Sequence, residues 1–193
     1  MLIQREMDVT QTAGPQPGEI LSFWFSEETK PHWFAASEAF DAKLKERFAA
    51  SYDNARSGEL NAWAENAEGA LALILLLDQI PRNIRRNTPE AFATDARALS
   101  EARKAIARGF DRQLSSVQRQ FLYLPFMHSE ELQDQEQGME LYAALDLAEP
   151  LDFMRRHRDI IARFGRFPHR NKILGRQTTQ EEAAFLEGPG SHF

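Results

Sequence analysis

Three stretches of the sequence carry side chains able to do chemistry. Asp78-Gln79-Ile80-Pro81-Arg82-Asn83 follows the most apolar run of the chain, Ala70 to Leu77. A buried helix that delivers Asp, Arg and Asn at its end builds a polar pocket on rigid support. The same residues equally suit helix capping, with Arg82 over the last carbonyls and Asp78 paired to an Arg. The second stretch is Leu124 to Glu131, where His128 and Glu131 stand three apart and Asp134 follows. A His beside carboxylates can move a proton or hold a divalent metal. The spacing fits neither His-Glu-x-x-His nor paired Glu-x-x-His, so a metal-dependent hydrolase built on His128, Glu131, Asp134, His157 or His169 ranks below the other readings. The plainer alternative is a capped helix start with a solvated acidic face.

The third stretch, Phe164-Gly165-Arg166-Phe167-Pro168-His169-Arg170-Asn171 with Gly175-Arg176, is the densest. Gly165 and Pro168 constrain a loop. Arg166, Arg170 and Arg176 offer planar, bidentate donors suited to phosphate or carboxylate. Pairing with acidic groups elsewhere in the chain is the competing use of the same charges. If the three stretches meet, Asp78, Arg82, Asn83, Glu131, Arg166, Arg170, Asn171 and Arg176 line an anion pocket, and His128 or His169 transfers a proton. His157 lies on the stripe Phe153, His157, Ile160, Ile161, Phe164, as a core histidine or at a pocket border. Trp24, Trp33 and Trp63 fill gaps between helices or stack on a planar ligand.

The positioning elements are helical. Phe40, Leu44 and Phe48, four apart, mark a helix over residues 34–56 that ends at Gly58. Residues 67–79 are apolar nearly all round, which places that helix centrally, with Pro81 as its stop. Thr88-Pro89 opens a helix running to Gly109. Ser115 and Gln118 form a capping box for the next, which Pro125 should kink or end early. Ser129 can cap another, Pro150 opens one to about Phe164, and Thr179 with Glu182 boxes the last. No stretch alternates with period two, so the fold class is all-α. The expected core includes Phe40, Leu44, Leu73, Leu76, Leu77, Phe121, Leu122, Ile161 and Phe164.

The totals exclude several classes. At 193 residues the chain suits one domain. Residues 1–18, polar with Pro15 and Pro17, are expected to be a flexible tail, and residues 19–193 one all-α domain. With no Cys, disulfides, thiol catalysis and Cys-based metal sites are out, which suits a reducing, cytoplasmic setting. No secretory signal or spanning segment is visible. Net charge is −6, yet residues 155–176 hold eight basic side chains against Asp159. The rest of the chain is strongly acidic and would repel a phosphate backbone, so nucleic acid is not an expected partner. No cofactor is implied.

The blocks FWF, LLLDQIPRN, FATDARAL, FLYLPFMHSE, DQE and RFGRFPHRNKILGR together resemble a bacterial family known as domain of unknown function 924, over about residues 18–188. The resemblance implies a tetratricopeptide-like fold of packed antiparallel helical hairpins around a concave face. It carries no settled activity and assigns no catalytic role. The tetratricopeptide spacing of Trp, Gly, Tyr and Pro is absent, so a peptide-binding role borrowed from that fold is analogy. Two functions stand at this point: a helical protein that binds, with or without turning over, a small anionic ligand, and a helical scaffold for a protein or peptide partner without catalysis. Oligomeric state and ligand identity are not written in these residues.

Overall fold

The computed structural model of the chain describes residues 14–191. All regular structure among them is helical. Most of the expected tail, residues 1–13, lies outside the described residues. Helix α1, Pro17–Trp24, begins within the tail's last two positions, with Gln16 and Glu19 closing a capping box. Helix α2, Glu38–Ser57, starts later than residue 34 because Ser37 caps it, its hydroxyl accepting from the Phe40 amide. It ends at Gly58, whose φ of +96° suits a residue without a Cβ.

The central helix departs from expectation at Pro81. Helix α3, Ala67–Ile74, widens into one π turn over Leu75–Gln79 and continues as α4, Ile80–Ile84, straight through the proline. Pro81 has no N–H to offer the Leu77 carbonyl one turn back. The Thr94 hydroxyl takes that place, donating to the Leu77 oxygen at 2.5 Å. A buried carbonyl left without a donor would cost about 1–3 kcal/mol, and Thr94 supplies a donor to this one. The reason Thr94 is available lies in a second departure. Residues 89–109 do not form one helix: Pro89–Phe92 is a 3-10 turn, and α5 starts only at Asp95, running to Ala107.

Helix α6, Ser116–His128, keeps the expected Ser115–Gln118 box. It runs through Pro125 to His128 without ending early. Ser129 terminates α6 and does not cap the following helix, α7, Leu132–Ala143, where Glu131 holds the N-cap position. The buried Gln135 amide donates to the carbonyls of Phe126, Met127 and Ser129, closing the end of α6 that carries His128. Helix α8, Ala148–Phe164, ends at Gly165, and a 3-10 turn, Pro168–Arg170, leads on to α9, Gln180–Leu186. The Thr179–Glu182 box is present.

Helix α5 packs on α6, α6 on α7 and α7 on α8, while α1, α5 and α6 pack on α3. Short connections between such neighbours make helical hairpins. The core runs through α1 to α7 and takes in Met154 of α8, with Leu44, Phe48, Leu73, Leu76, Leu77, Phe121 and Leu122 fully buried. A satellite cluster of Ile160, Ile161 and Phe167 is packed by Phe164 and Phe185. Phe164 is therefore half-buried in that satellite and lies outside the main core. No helix among the described residues is long and apolar enough to cross a membrane.

Candidate functional site

The π turn delivers Asp78 into the interior, where its side chain has no exposure. A carboxylate there must be surrounded by donors or be neutralised. His128 Nδ1 lies 2.8 Å from Asp78 Oδ1, and Gln79 Nε2 donates to Oδ2 at 2.6 Å. The Arg82 guanidinium stands 3.3 Å from Oδ1. Burial pushes the Asp78 carboxyl up, but the charge of Arg82, with His128 and the hydrogen bonds, overrides it and holds it well below the carboxylate range. The carboxylate is ionised.

Arg82 also reaches α5. Its Nη1 and Nη2 each donate to one oxygen of Asp95 at 2.9 Å, a bidentate pair. Asp95 sits in the first turn of α5, where the helix dipole favours a carboxylate. The break before α5 thus places two side chains, Thr94 on Leu77 and Asp95 on Arg82.

Arg170 arrives from the 3-10 turn after α8. Its guanidinium carbon lies 4.7 Å from the Phe92 ring centroid and 4.5 Å from that of Phe167. Its polar partners are poor. Nη1 has one contact, at 3.5 Å, to the Asp95 oxygen already held by Arg82. Nε is buried with no hydrogen-bond partner. Burial, then the neighbouring Arg82 charge, lowers the guanidinium to about 10, so it stays charged at neutral pH.

His128 is held with Nδ1 on the Asp78 carboxylate. That bond fixes the tautomer: Nδ1 carries the proton and Nε2 the lone pair. Burial and the Arg82 charge lower its pKa, so the ring is neutral at pH 7. The His157 ring lies 6.4 Å away. Its Nδ1 is 2.8 Å from the Phe153 carbonyl, and burial drives its pKa to about 3. Exposure rises outward through the cluster: Asp78 0%, Arg170 8%, His128 13%, Arg82 and Asp95 19%. The carboxylate is the most buried member, and Arg82, Asp95 and His128 keep partial exposure.

Of the residues read from the sequence, Asp78, Arg82, His128 and Arg170 meet here. Five others do not join them. Asn83 donates to Asp41 on α2, where Arg86 also binds. The Glu131 side chain is exposed at the start of α7. Arg166 makes a two-bond pair with the buried Glu182, on which Asn171 also donates. Arg176 pairs with Glu130 and donates to the Phe167 carbonyl, while Glu130 accepts from the Phe167 amide. This last pair borders the cluster, since it clamps the backbone of a ring that Arg170 rests on. His169 lies on the same turn as Arg170, its ring 5.6 Å from that of Phe167.

Sequence reasoning missed Asp95, Phe92 and the role of Thr94. Thr94-Asp95 is a helix-start pair six residues after Thr88-Pro89, and reading a second start there would have exposed it. A surface hollow of about 420 Å³ lies between α8 and α9, lined by Arg156, Ile160, Arg163, Phe164 and Phe185 among others. None of the cluster residues lines it.

A family model described as bacterial protein of unknown function, DUF924, matches residues 20–190. The chain belongs to this family. A solved structure, the protein of unknown function ATU0120 from Agrobacterium tumefaciens, is similar at 44% identity with a TM-score of 0.85. The likeness covers 89% of this chain and 97% of that one. No curated protein matches. Family and fold are thereby shown, and the chemistry of the cluster has to be argued from its own geometry.

Proposed function

We propose that the protein binds a small anion, a carboxylate or phosphate class ligand, at the cluster of Asp78, Arg82, Asp95, His128 and Arg170. The observation that carries this reading is Arg170. A guanidinium this buried is normally surrounded by acceptors. Here one N–H is orphaned and the single carboxylate contact is long and shared. The two aromatic rings contribute attraction to the cation but no oxygen. An anion supplies the missing acceptors. Beside it, the Asp78–His128 pair presents an oriented imidazole whose Nε2 can take up or give back a proton. Hydrolysis or elimination on the bound anion is the chemistry such a proton-transfer group would serve.

The reading is narrower than a basic loop. Arg166 and Arg176 are committed to Glu182 and Glu130, which leaves Arg170 as the anion-facing cation. The alternative, a tetratricopeptide-like scaffold for a protein or peptide, draws support from those same internal pairs.

The test is a thermal-shift and calorimetry panel of sulfate, phosphate and dicarboxylates with wild type and Arg170→Met. A ligand at a hundred times its dissociation constant adds about 2.7 kcal/mol, or roughly 5–10 °C for a chain this size. That rise should vanish in Arg170→Met while the variant stays folded. A flat panel, or a response that survives the substitution, overturns the site and leaves the scaffold reading.

A further inference from the structure

The cluster is electrically balanced as it stands. Asp78 and Asp95 offset Arg82 and Arg170, and at its border Glu130 offsets Arg176. His128 and His157 are neutral at pH 7. An arriving anion leaves this low-dielectric space with an uncompensated negative charge, which is expensive. One group can correct that without moving: His128 has a lone pair on Nε2 and an imidazolium counter-ion, Asp78, already hydrogen-bonded to Nδ1.

We infer that the site takes up one proton from solvent, on His128 Nε2, with each anion it binds. The inference rests on the anion reading above and deepens it: the ligand is delivered as anion plus proton, the two components of an acid. On binding, Nε2 gains the proton, Nδ1–H keeps its bond to Asp78, and the imidazolium becomes a donor for the anion beside Arg170. Every group facing His128 fits this assignment. From α3–α4 come Asp78 and Arg82, and from α5 Asp95. From α8 comes His157. The 168–170 turn brings Arg170 onto Asp95 and His169 onto Phe167. Asp78 and Asp95 are tied to Arg82, and His157 is more deeply buried than His128 and engaged at Phe153. His128 is the side chain placed to take the proton, with its Nδ1 already on the Asp78 carboxylate.

The experiment uses the full chain and sulfate, which stays a dianion across the working range, so that one proton on His128 offsets one of its two charges. Imidazole proton–nitrogen NMR follows each histidine from pH 5 to 8.5 in sulfate and in sodium chloride of equal ionic strength. The His128 midpoint should rise by about one to two pH units in sulfate, the size of a charge–charge interaction at close range. By linkage, sulfate affinity should fall about tenfold per pH unit between the free and the raised midpoint and level off above the raised one. His128→Gln should still bind sulfate, with that pH dependence gone. Sulfate that binds through Arg170 while the His128 midpoint stays put overturns the proton inference and leaves the site intact. Failure of sulfate to bind at any pH removes both. Should His128→Gln not fold, the wild-type midpoint alone decides the matter.

Discussion

His128 Nδ1 and Asp78 Oδ1 meet at 2.8 Å across fifty positions of sequence. The carboxylate comes from a π turn and the imidazole from the last residue of a helix that continues through a proline. The π turn is a departure from regular helix of a kind common around functional sites. A side chain from another element supports each position: Thr94 on the Leu77 carbonyl beside Asp78, and Gln135 at the end of α6.

Asp78→Ala is expected to be among the most damaging single changes in the chain. It leaves Arg82 buried with half of its counter-charge and His128 without its orienting acceptor. Breaking a buried charge network typically costs about 3–5 kcal/mol. Urea unfolding of wild type and variant measures the loss. A cost below about 1 kcal/mol would show that the carboxylate is not the anchor described.

Acid should unfold the protein in two overlapping stages, and the sign follows from the direction of each shift. His157 is held neutral in the folded state with its pKa lowered to about 3, against about 6.5 unfolded. The unfolded chain therefore binds more protons between those limits. Stability is fully present above pH 6.5 and declines as pH falls toward 3, by up to about 4–5 kcal/mol. Asp78, lowered far below its unfolded value of about 3.9, adds its own loss below about pH 4. Stability measured against pH in wild type and His157→Phe separates the stages: the upper slope should shrink in the variant and the lower one remain.

Much of this was legible in the residues. Capping boxes at Ser115–Gln118 and Thr179–Glu182, the buried run before Asp78, and the Gly58 and Gly165 stops all follow local rules. The continuation past Pro81 was not, because the donor that rescues Leu77 sits on another element, thirteen residues beyond the proline. The fate of the arginines was not legible either. Arg166 and Arg170 are four apart on one loop with the same chemistry. Which one faces a buried Glu and which one faces two rings is decided by where α9 docks.

Arg170→Met should be nearly neutral for folding. The guanidinium is buried with few acceptors, and Asp95 keeps its bidentate partner Arg82 when Arg170 goes. Replacing an under-satisfied buried charge with an apolar side chain of similar volume is often neutral or stabilising, by about 1–4 kcal/mol. An unchanged or raised midpoint in urea, together with lost response to anions, is the expected pair of results. A large loss of stability would mean that Arg170 is a strut.

Thr94→Val tests the passage through Pro81. It removes the donor on the Leu77 carbonyl while keeping the side-chain shape, so the buried oxygen is left alone at a cost of about 1–3 kcal/mol. The helix then has reason to break at Gln79, which would loosen Arg82 from Asp95. Hydrogen exchange at Ile80 and Arg82 through Ile84 should accelerate relative to α6, and anion response should weaken even though Thr94 lies outside the cluster. Unchanged exchange there would show that the π turn carries Pro81 without help.

Arg166→Ala gives the opposite pattern to Arg170→Met. Arg166 sits on Glu182, which has 2% exposure and also accepts from Asn171 and the Thr179 amide. Side-chain hydrogen bonding from Arg166 is the first cause holding the Glu182 carboxyl down to about 2. Without that partner the capping box of α9 loses its charged anchor, and α9 should detach from the 168–170 turn while α1 to α7 keep their core. Hydrogen exchange would show early loss of protection confined to residues 180–186, with sulfate binding weakened only to the extent that the turn carrying Arg170 loosens. Complete loss of anion binding with α9 still protected would move the ligand from Arg170 to Arg166.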